Sequence, residues 1–366
     1  MSSTEPFSPR ITQAFTQLIA ERIGLTFRKN DQAAFQKFIL SRLQPLGFSV
    51  PEEYYLLLHD KTDAGHQEWE TLITEITNTE SFFFRDKGQF SLLKNYIFPK
   101  IIEQQSKSKT IRICSAGCST GEEPYSIAIL LKNLLPDLRD WEIKILGVDV
   151  NIEAIQKAKT GLYRAWSFRG IDPELQKQFF QETNQQYQLH DDILAMVDFQ
   201  TGNLVNDSFF NPSLDIQNMD LILCRNVFIY FSQAAIEKTI AKFYDALSPL
   251  GYLLVGHTEL HNQKSNRFHI EMFEESIAYQ RPVDETAIPR SDFLSTQTIE
   301  KKPTPNQMPM NNDELSALFK GNDSKMNQVA LNLLRQLPSD SKIAKLGNRT
   351  ASELITQIEN VLKETN

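Results

Sequence analysis

Residues 111–149 read IRICSAGCSTGEEPYSIAILLKNLLPDLRDWEIKILGVD. A short apolar run, IRIC (111–114), breaks on a glycine-bearing loop. A helical stretch follows, PYSIAILLKNLL (124–135), and a second apolar run, IKILGV (143–148), ends on Asp149. Strand, crossover helix and strand is the order of a parallel βαβ unit. The alternation continues with a helix from Ile152 to about Thr160, then VDF (197–199), DLILC (220–224), a helix beginning near Gln233, and GYLLVG (251–256). Strands separated by helices of this length predict an α/β fold, a mostly parallel sheet covered on both faces. The last strands stand too close together for a crossover helix, which predicts an antiparallel edge. Between Leu162 and Met196 the rhythm gives way to mixed polar and aromatic sequence, predicted as an insertion between sheet strands.

Working outward, residues 1 to about 90 read as helical, with Ile11, Phe15, Leu18 and Ile19 and then Phe35, Phe38, Ile39 and Leu43 at helical spacing. The second of these segments carries Arg28, Lys29, Lys37 and Arg42. Such a run is a solvated helix face or a docking surface for an acidic partner. Residues 283–312 hold four prolines among Ser, Thr, Gln and Asn, the composition of a flexible linker. Residues 313–366 turn amphipathic again, predicting two or three helices that resemble a degenerate tetratricopeptide-like unit. A single such unit cannot bury its own face and calls for a neighbour or a further protein partner.

The chain of 366 residues is 41% hydrophobic and 23% charged, with a formal net charge of −8. That balance argues against a protein-wide field for nucleic acid or an anionic membrane. No apolar run approaches the roughly 20 residues of a membrane-spanning helix, and the start MSSTEPFSPR lacks the pattern of a secretory signal. Three cysteines, Cys114, Cys118 and Cys224, are too few and too odd for a disulfide framework, so a cytoplasmic protein is expected. Cys114 and Cys118 have no second ligand pair nearby, and they are expected to be small, semi-buried residues rather than a zinc site.

The sharpest local signal is the loop Cys114-Ser-Ala-Gly-Cys-Ser-Thr-Gly-Glu-Glu-Pro124 between the first strand and its helix. Gly117 and Gly121 allow a tight turn and close approach to a ligand, and Pro124 suits a first helical turn. A P-loop needs a lysine after its last glycine, where this chain has Glu122 and Glu123. A dinucleotide fingerprint needs GxGxxG, where this loop has GxxxG. A cofactor with cations and no phosphate fits better. S-adenosylmethionine carries a sulfonium and an ammonium, and Glu123 is placed to neutralise one of them. The bland rival is simple favourable placement of acids at a helix N-terminus. Asp149, at the carboxyl end of its strand, is placed to accept both hydroxyls of a ribose, or else to cap the helix from Ile152.

Seven segments in order give a family resemblance: TESFFFRD (79–86), SAGCSTGEEPYS (115–126), LGVD (146–149), AKTGLYR (158–164), GNL (202–204), CRNVFIYF (224–231) and GHTE (256–259). From about residue 10 to 282 the chain resembles the CheR-type chemotaxis receptor methyltransferases. The resemblance implies a Rossmann-like S-adenosylmethionine-dependent methyltransferase domain (91–282) with a small antiparallel β-subdomain inserted at about 163–198. A small all-α N-terminal domain (1–90) precedes it. It implies esterification of glutamate side chains on the cytoplasmic helical bundle of a methyl-accepting chemotaxis receptor, with S-adenosylhomocysteine as co-product and no metal. A monomer that neither binds nucleic acid nor inserts into a membrane is expected. Carried over by motif, the cofactor contacts are Thr79, Ser81, Arg85, Gly117, Glu123, Asp149, Asn203, Leu204, Arg225 and Asn226, with Arg85 and Tyr230 nearest the methyl acceptor. Two positions depart from the family pattern. Thr79 stands where the family often has Asn, and the segment QETNQQYQLHDD (181–192) is shorter than in members that grip a receptor's tail peptide. The second departure favours docking through the N-terminal helices.

A glutamate carboxylate is ionised near neutral pH, its ordinary pKa being about 4.3, so it needs alignment and a dry pocket more than a base. Arg85 could orient it through a bidentate fork, or could close a salt bridge at a helix end. Tyr230 could donate to the same oxygen, or could be a core tyrosine. Phe82, Phe83 and Phe84 read as core and pocket wall, and His257 as a structural hydrogen-bonding residue. A nucleic-acid methyltransferase is disfavoured by charge and by the lack of an Asn/Asp-Pro-Pro-Tyr/Phe motif, and an oxidoreductase by the glycine spacing. The remaining rival is a non-catalytic module that binds the cofactor or its product and signals through the C-terminal tail.

Overall fold

The computed structural model describes residues 7–27, 31–60, 62–135, 137–207, 216–257, 259–260, 267–274 and 276–283, with short pieces between 342 and 359. The chain falls into two compact units, residues 1–259 with 264–284, and residues 260–263 with 285–366. In the second, the described elements include a pair of two-residue antiparallel strands, Lys342–Ile343 and Arg349–Thr350. The predicted linker beyond residue 283, and most of the predicted tail helices, lie outside the described residues.

The first unit opens with four helices, α1 (Pro9–Ile23), α2 (Gln32–Leu43), α3 (Pro51–His59) and α4 (Asp63–Ile76). Local chemistry sets the ends of α1. Ser8 caps it by accepting the Ile11 N–H at 3.2 Å, and Pro9 occupies the first turn. Gly24 stops it at φ +82°, where a Cβ would lie 2.7 Å from Val205 and 2.9 Å from Ala235. Ile11, Phe15, Leu18, Ile19 and Ile23 face inward and meet Phe35, Ile39, Tyr54, Leu58, Trp69 and Leu72 in one apolar cluster. Inside it Arg42 grips Glu68 with two hydrogen bonds of 2.7 and 2.8 Å, and the Tyr54 hydroxyl donates to the same carboxylate at 2.9 Å. Arg42 is therefore internal wiring and leaves the basic docking face. Lys37 is exposed, and Arg28 and Lys29 lie outside the described residues.

A short helix α5 (Lys87–Leu92), one π-helical turn (Leu93–Ile97) and α6 (Phe98–Gln104) lead into the sheet. Its strands are β1 (Thr110–Ala116), β2 (Glu142–Asp149), β6 (Val197–Thr201), β7 (Met219–Cys224), β8 (Leu247–Val255), β9 (His269–Met272) and β10 (Ile277–Gln280), in the order β6-β2-β1-β7-β8-β10-β9. The first five are parallel. β10 runs against β8 and β9. The reversed strand is thus next to last, and the edge strand β9 points with the parallel set. Helices α7 (Glu122–Leu134), α8 (Ile152–Thr160) and α11 (Gln233–Ala246) are the crossovers. Every residue of β7 is buried, as a central strand covered on both faces requires.

Between β2 and β6 the chain makes a separate three-stranded antiparallel sheet, β3 (Leu162–Arg164), β5 (Gln186–Leu189) and β4 (Phe180–Thr183), accompanied by α9 (Pro173–Phe179) and α10 (Asp191–Leu194). Asn184 and Gln185 join β4 to β5 with φ of 51° and 62°, the positive pair that suits a two-residue hairpin turn. This is the predicted inserted β-subdomain. An aromatic nest fixes it to the main body: Phe83 stacks on Phe168 at 5.2 Å and meets Tyr163 and Phe180 edge-on.

Candidate active site

A cavity of about 420 Å³ opens at the carboxyl ends of β1 and β2, where open α/β sheets bind ligands. The loop after β1 builds one part of its lining. Gly117 and Cys118 both donate to the Val148 carbonyl, at 2.7 and 3.0 Å, folding the loop over the end of β2. A Cβ on Gly117 would lie 2.4 Å from Val227, so this glycine admits a neighbouring loop as well as any ligand. The three cysteines are fully buried, deeper than expected, and burial raises each thiol, that of Cys114 to about 12.

The two glutamates at the start of α7 divide their work. Glu122 turns into the core, where the hydroxyls of Thr120 and Ser167 donate to it at 2.7 and 3.0 Å. Glu123 lines the cavity but is not a free acid. It accepts from Ser115 at 2.7 Å and pairs with Arg225 at 3.0 Å. Arg225 is itself buried and spends its donors on Glu123, on Gln89 at 2.5 Å and on the Arg85 carbonyl. It locks the end of β7 to α5 and α7.

Asp149 accepts the backbone N–H of Ser119 at 2.8 Å and of Asn151 at 2.9 Å. Burial pushes its carboxyl above the ordinary range, the backbone donors opposing. The cap of α8 is supplied by Asn151, whose side chain accepts from Ala154 at 3.0 Å, so Asp149 is not the cap. Asn203 and Leu204 lie on the same lining. The Asn203 amide ties this loop to α1 by donating to the Arg22 carbonyl at 2.6 Å, and its oxygen accepts from Val205.

The segment before α5 supplies Ser81, Phe82 and Arg85. The three phenylalanines separate: Phe82 lines the cavity, Phe83 enters the aromatic nest, and Phe84 packs on Phe90 at 5.1 Å. Arg85 donates to the Glu80 carbonyl at 3.1 Å and has no carboxylate within 4.0 Å among the described residues. Its salt-bridge alternative is not realised. Thr79 is the one expected site residue outside the lining. It is exposed and offers only its carbonyl to Ser119, at 2.8 Å. Its neighbour Asn78 lines the cavity instead and donates to the Tyr230 hydroxyl at 3.0 Å.

Tyr230 is half-buried and part of the lining, hence not a core tyrosine. Its loop is held from two sides. Thr26 donates its N–H to the Tyr230 carbonyl at 2.8 Å, and Ser232 donates to Gly24 at 2.8 Å. Glu259 accepts the N–H groups of Asn226 at 3.1 Å and Gly256 at 2.6 Å. Asn226 takes φ +60°, and Phe84, Asp86 and Ser119 also have positive φ, a clustering of strained backbone around the cavity. His257 pairs through Nε2 with Asp86 at 2.5 Å.

Residues from the N-terminal helical region, among them Ile23, Leu25, Phe27, Phe35 and Phe38, complete the lining. Nothing in the sequence links them to it, because only the chain crossing at 24–26 and 230–232 brings them there. Five carboxylates line the cavity (Asp31, Glu75, Glu80, Glu123, Asp149) against two guanidinium groups, with no lysine among the described residues. That donor set fits a cationic ligand with hydroxyls and would repel a phosphate.

The fold and this cavity define an S-adenosylmethionine-dependent methyltransferase. Residues 79–277 match the family described as CheR methyltransferase, SAM binding domain. Chemotaxis protein methyltransferase 2 of Vibrio cholerae is 31% identical over 272 residues, 73% of this chain and 91% of that protein. The chemotaxis protein methyltransferase of Borreliella burgdorferi is 32% identical over 66% of this chain and 85% of its own. That of Escherichia coli is 31% identical over 69% and 85%. The chain belongs to the CheR methyltransferase family.

Proposed function

We propose that this methyltransferase acts in chemotaxis, esterifying the γ-carboxylates of glutamates on the cytoplasmic helical bundle of a methyl-accepting receptor. Among the described residues no helix is long and apolar enough to cross a membrane, which suits a protein that meets the receptor's cytoplasmic face. The observation that carries the reading is Arg85, whose guanidinium lines the cavity without a carboxylate partner among the described residues, beside a wall that also presents the Tyr230 hydroxyl.

Glu123, Asp149 and the backbone of Gly117 to Ser119 would hold the cofactor, with Ser81, Asn203, Leu204 and Asn226 around it. Thr79 acts from behind through its carbonyl, and Arg225 by fixing Glu123. Bound S-adenosylmethionine supplies a methyl group made electrophilic by its sulfonium. The acceptor carboxylate arrives already ionised, so the protein's task is orientation. Arg85 takes one carboxylate oxygen or both by a charge-assisted fork. Tyr230, its hydroxyl accepting from Asn78, has its own proton left to donate to the same group. Phe82 and the apolar residues of α1 and α2 exclude water that would solvate the nucleophile. Transfer to the carboxylate oxygen held by Arg85 and Tyr230, with the bonding pair left on sulfur, would give a glutamate methyl ester and S-adenosylhomocysteine and would leave these residues no proton to place.

The test is radiolabelled S-adenosylmethionine with receptor cytoplasmic fragments, counting methyl label released by mild alkali. Alkali-labile label that is lost in Arg85→Ala supports the assignment. Label that resists alkali would mean a different acceptor group. Cofactor binding by calorimetry without any label would favour the non-catalytic module.

A further inference from the structure

One tryptophan has no role in the core or the cavity. Trp166 sits on the 3-10 turn Ala165–Phe168 that leaves β3, and it is 67% exposed. Its neighbours Ser167 and Phe168 turn inward and are buried, so the turn is anchored without the indole. Arg169 lies over the Trp166 ring at 4.3 Å, and the same guanidinium lies 4.0 Å from the ring of Phe82. Arg85 approaches the Phe82 ring at 5.6 Å. Two rings and two guanidinium groups therefore run in a row from solvent to the cavity wall.

We infer that this row, Trp166–Arg169–Phe82–Arg85, is the docking strip for the acceptor segment, an acidic amphipathic helix of the protein that is methylated. The inference rests on the methyl-transfer reading for the identity of that partner. Trp and Arg are the side chains that most often dominate the energy of protein interfaces. Charge selects the place: the chain is net acidic at −8, so an acidic helix is repelled by most of its surface and drawn to two adjacent guanidiniums. Arg169 is held in position by the Trp166 carbonyl at 3.0 Å and by Glu80 at 2.8 Å. The Glu80 pair is solvent-exposed on the acid's side, the kind of contact that contributes little and exchanges readily for an incoming carboxylate. An apolar side chain of the acceptor packs on the indole while its glutamate reaches Arg85.

The test measures binding of receptor cytoplasmic fragments to the wild-type chain, Trp166→Ala and Arg169→Gln by calorimetry, alongside alkali-labile methylation. Cofactor affinity and melting temperature, both expected to stay at wild-type values, report on folding. Docking at the strip predicts roughly 10- to 30-fold weaker fragment binding in each variant, a matching rise in KM for the fragment, and kcat within about twofold. Trp166-dependent binding without methyl label would keep the docking strip and overturn the proposed reaction. Equal binding by all three proteins, or no binding by the wild-type chain, overturns the strip. A wild-type dimer that Trp166→Ala disperses, with fragment binding unchanged, also overturns it, since the strip would then serve a second copy of the chain.

Discussion

Glu123 and Arg225 show how far a motif can be read and where the reading stops. The acid at the second position of α7 was legible as a cofactor residue from the GxxxG loop before it. Its partner was not, because Arg225 stands 102 positions away and meets it only through the sheet order. Removing one member of a buried pair strands the other. Glu123→Gln should therefore destabilise the chain by about 3–5 kcal/mol in urea unfolding, the range for breaking a buried pair, and weaken cofactor binding. The double variant Glu123→Gln with Arg225→Met should recover part of the stability and none of the binding. A double variant no more stable than the single one would show that the pair is not what holds these elements. Asp149 is different, since its two oxygens accept separate backbone N–H groups, from Ser119 and Asn151, and an amide keeps an acceptor for one of them alone. Asp149→Asn leaves one backbone N–H facing the amide NH2 group, so it should lose about 1–3 kcal/mol of stability and bind S-adenosylmethionine roughly 10- to 100-fold more weakly in calorimetry, the scale of a lost charge-assisted hydrogen bond. Thr79 marks the limit of motif transfer. The threonine at the expected position faces out, and the amide one residue earlier, Asn78, faces the cavity. No spacing rule separates two adjacent loop residues; only the backbone path after α4 does.

At the scale of elements, strands and crossover helices were readable because apolar period and glycine punctuation agree along 111–160 and again along 197–256. The order of the last strands was half readable: a short connection demands an antiparallel partner, but not that β10 slips between β8 and β9. Helix α5 is the least legible element, six residues long with an N-cap, Asp86, at φ +70°. Its side chain accepts from Gln89 at 3.1 Å and from His257, so α5 is pinned to the strand end of β8 by an ion pair. The hydrogen bond that His257 donates to Asp86 raises the imidazole above its ordinary 6.5, burial opposing. Burial works to raise Asp86, but the hydrogen bonds from His257 and Gln89 outweigh it and leave its carboxyl below 3.8. The two shifts define a window. The Asp86 contribution is present above about pH 3.8 and lost as pH falls through its lowered pKa. The His257 contribution is complete below about pH 6.5 and lost as pH rises through its raised pKa. The pair therefore supports the fold most between those limits. The melting temperature of His257→Gln should fall below wild type by its largest margin near pH 5–6, and the gap should narrow toward pH 9. A gap that is constant from pH 5 to 9 would mean that the imidazole contributes packing and not charge.

For the whole molecule, the sequence separates a helical N-terminal region from an α/β region; their buried hydrophobic clusters are distinct sets of residues, within a single compact unit. What joins them is the cavity, whose lining takes Ile23 at the end of α1, Leu25 and Phe27 after it, Phe35 and Phe38 from α2, and the loops after β1, β2, β6 and β7. Gly24 and Leu25 cross the loop that bears Tyr230, with Leu25 and Phe231 forming an isolated antiparallel bridge. A ligand in this cavity touches both regions, so binding free energy must appear as stability in each. Hydrogen exchange with and without S-adenosylmethionine should show slowed exchange in the loops at 117–121 and 202–204, and also through the end of α1 and the first turns of α2. Those helices carry no cofactor motif, and their protection follows from the lining alone. A saturating cofactor at about 100 times its Kd should add roughly 2.7 kcal/mol to stability. If protection stopped at the sheet loops and left residues 18–39 exchanging at the unliganded rate, the N-terminal helices would not be part of the cofactor site. The cavity would then close on the helical side only when the acceptor protein arrives.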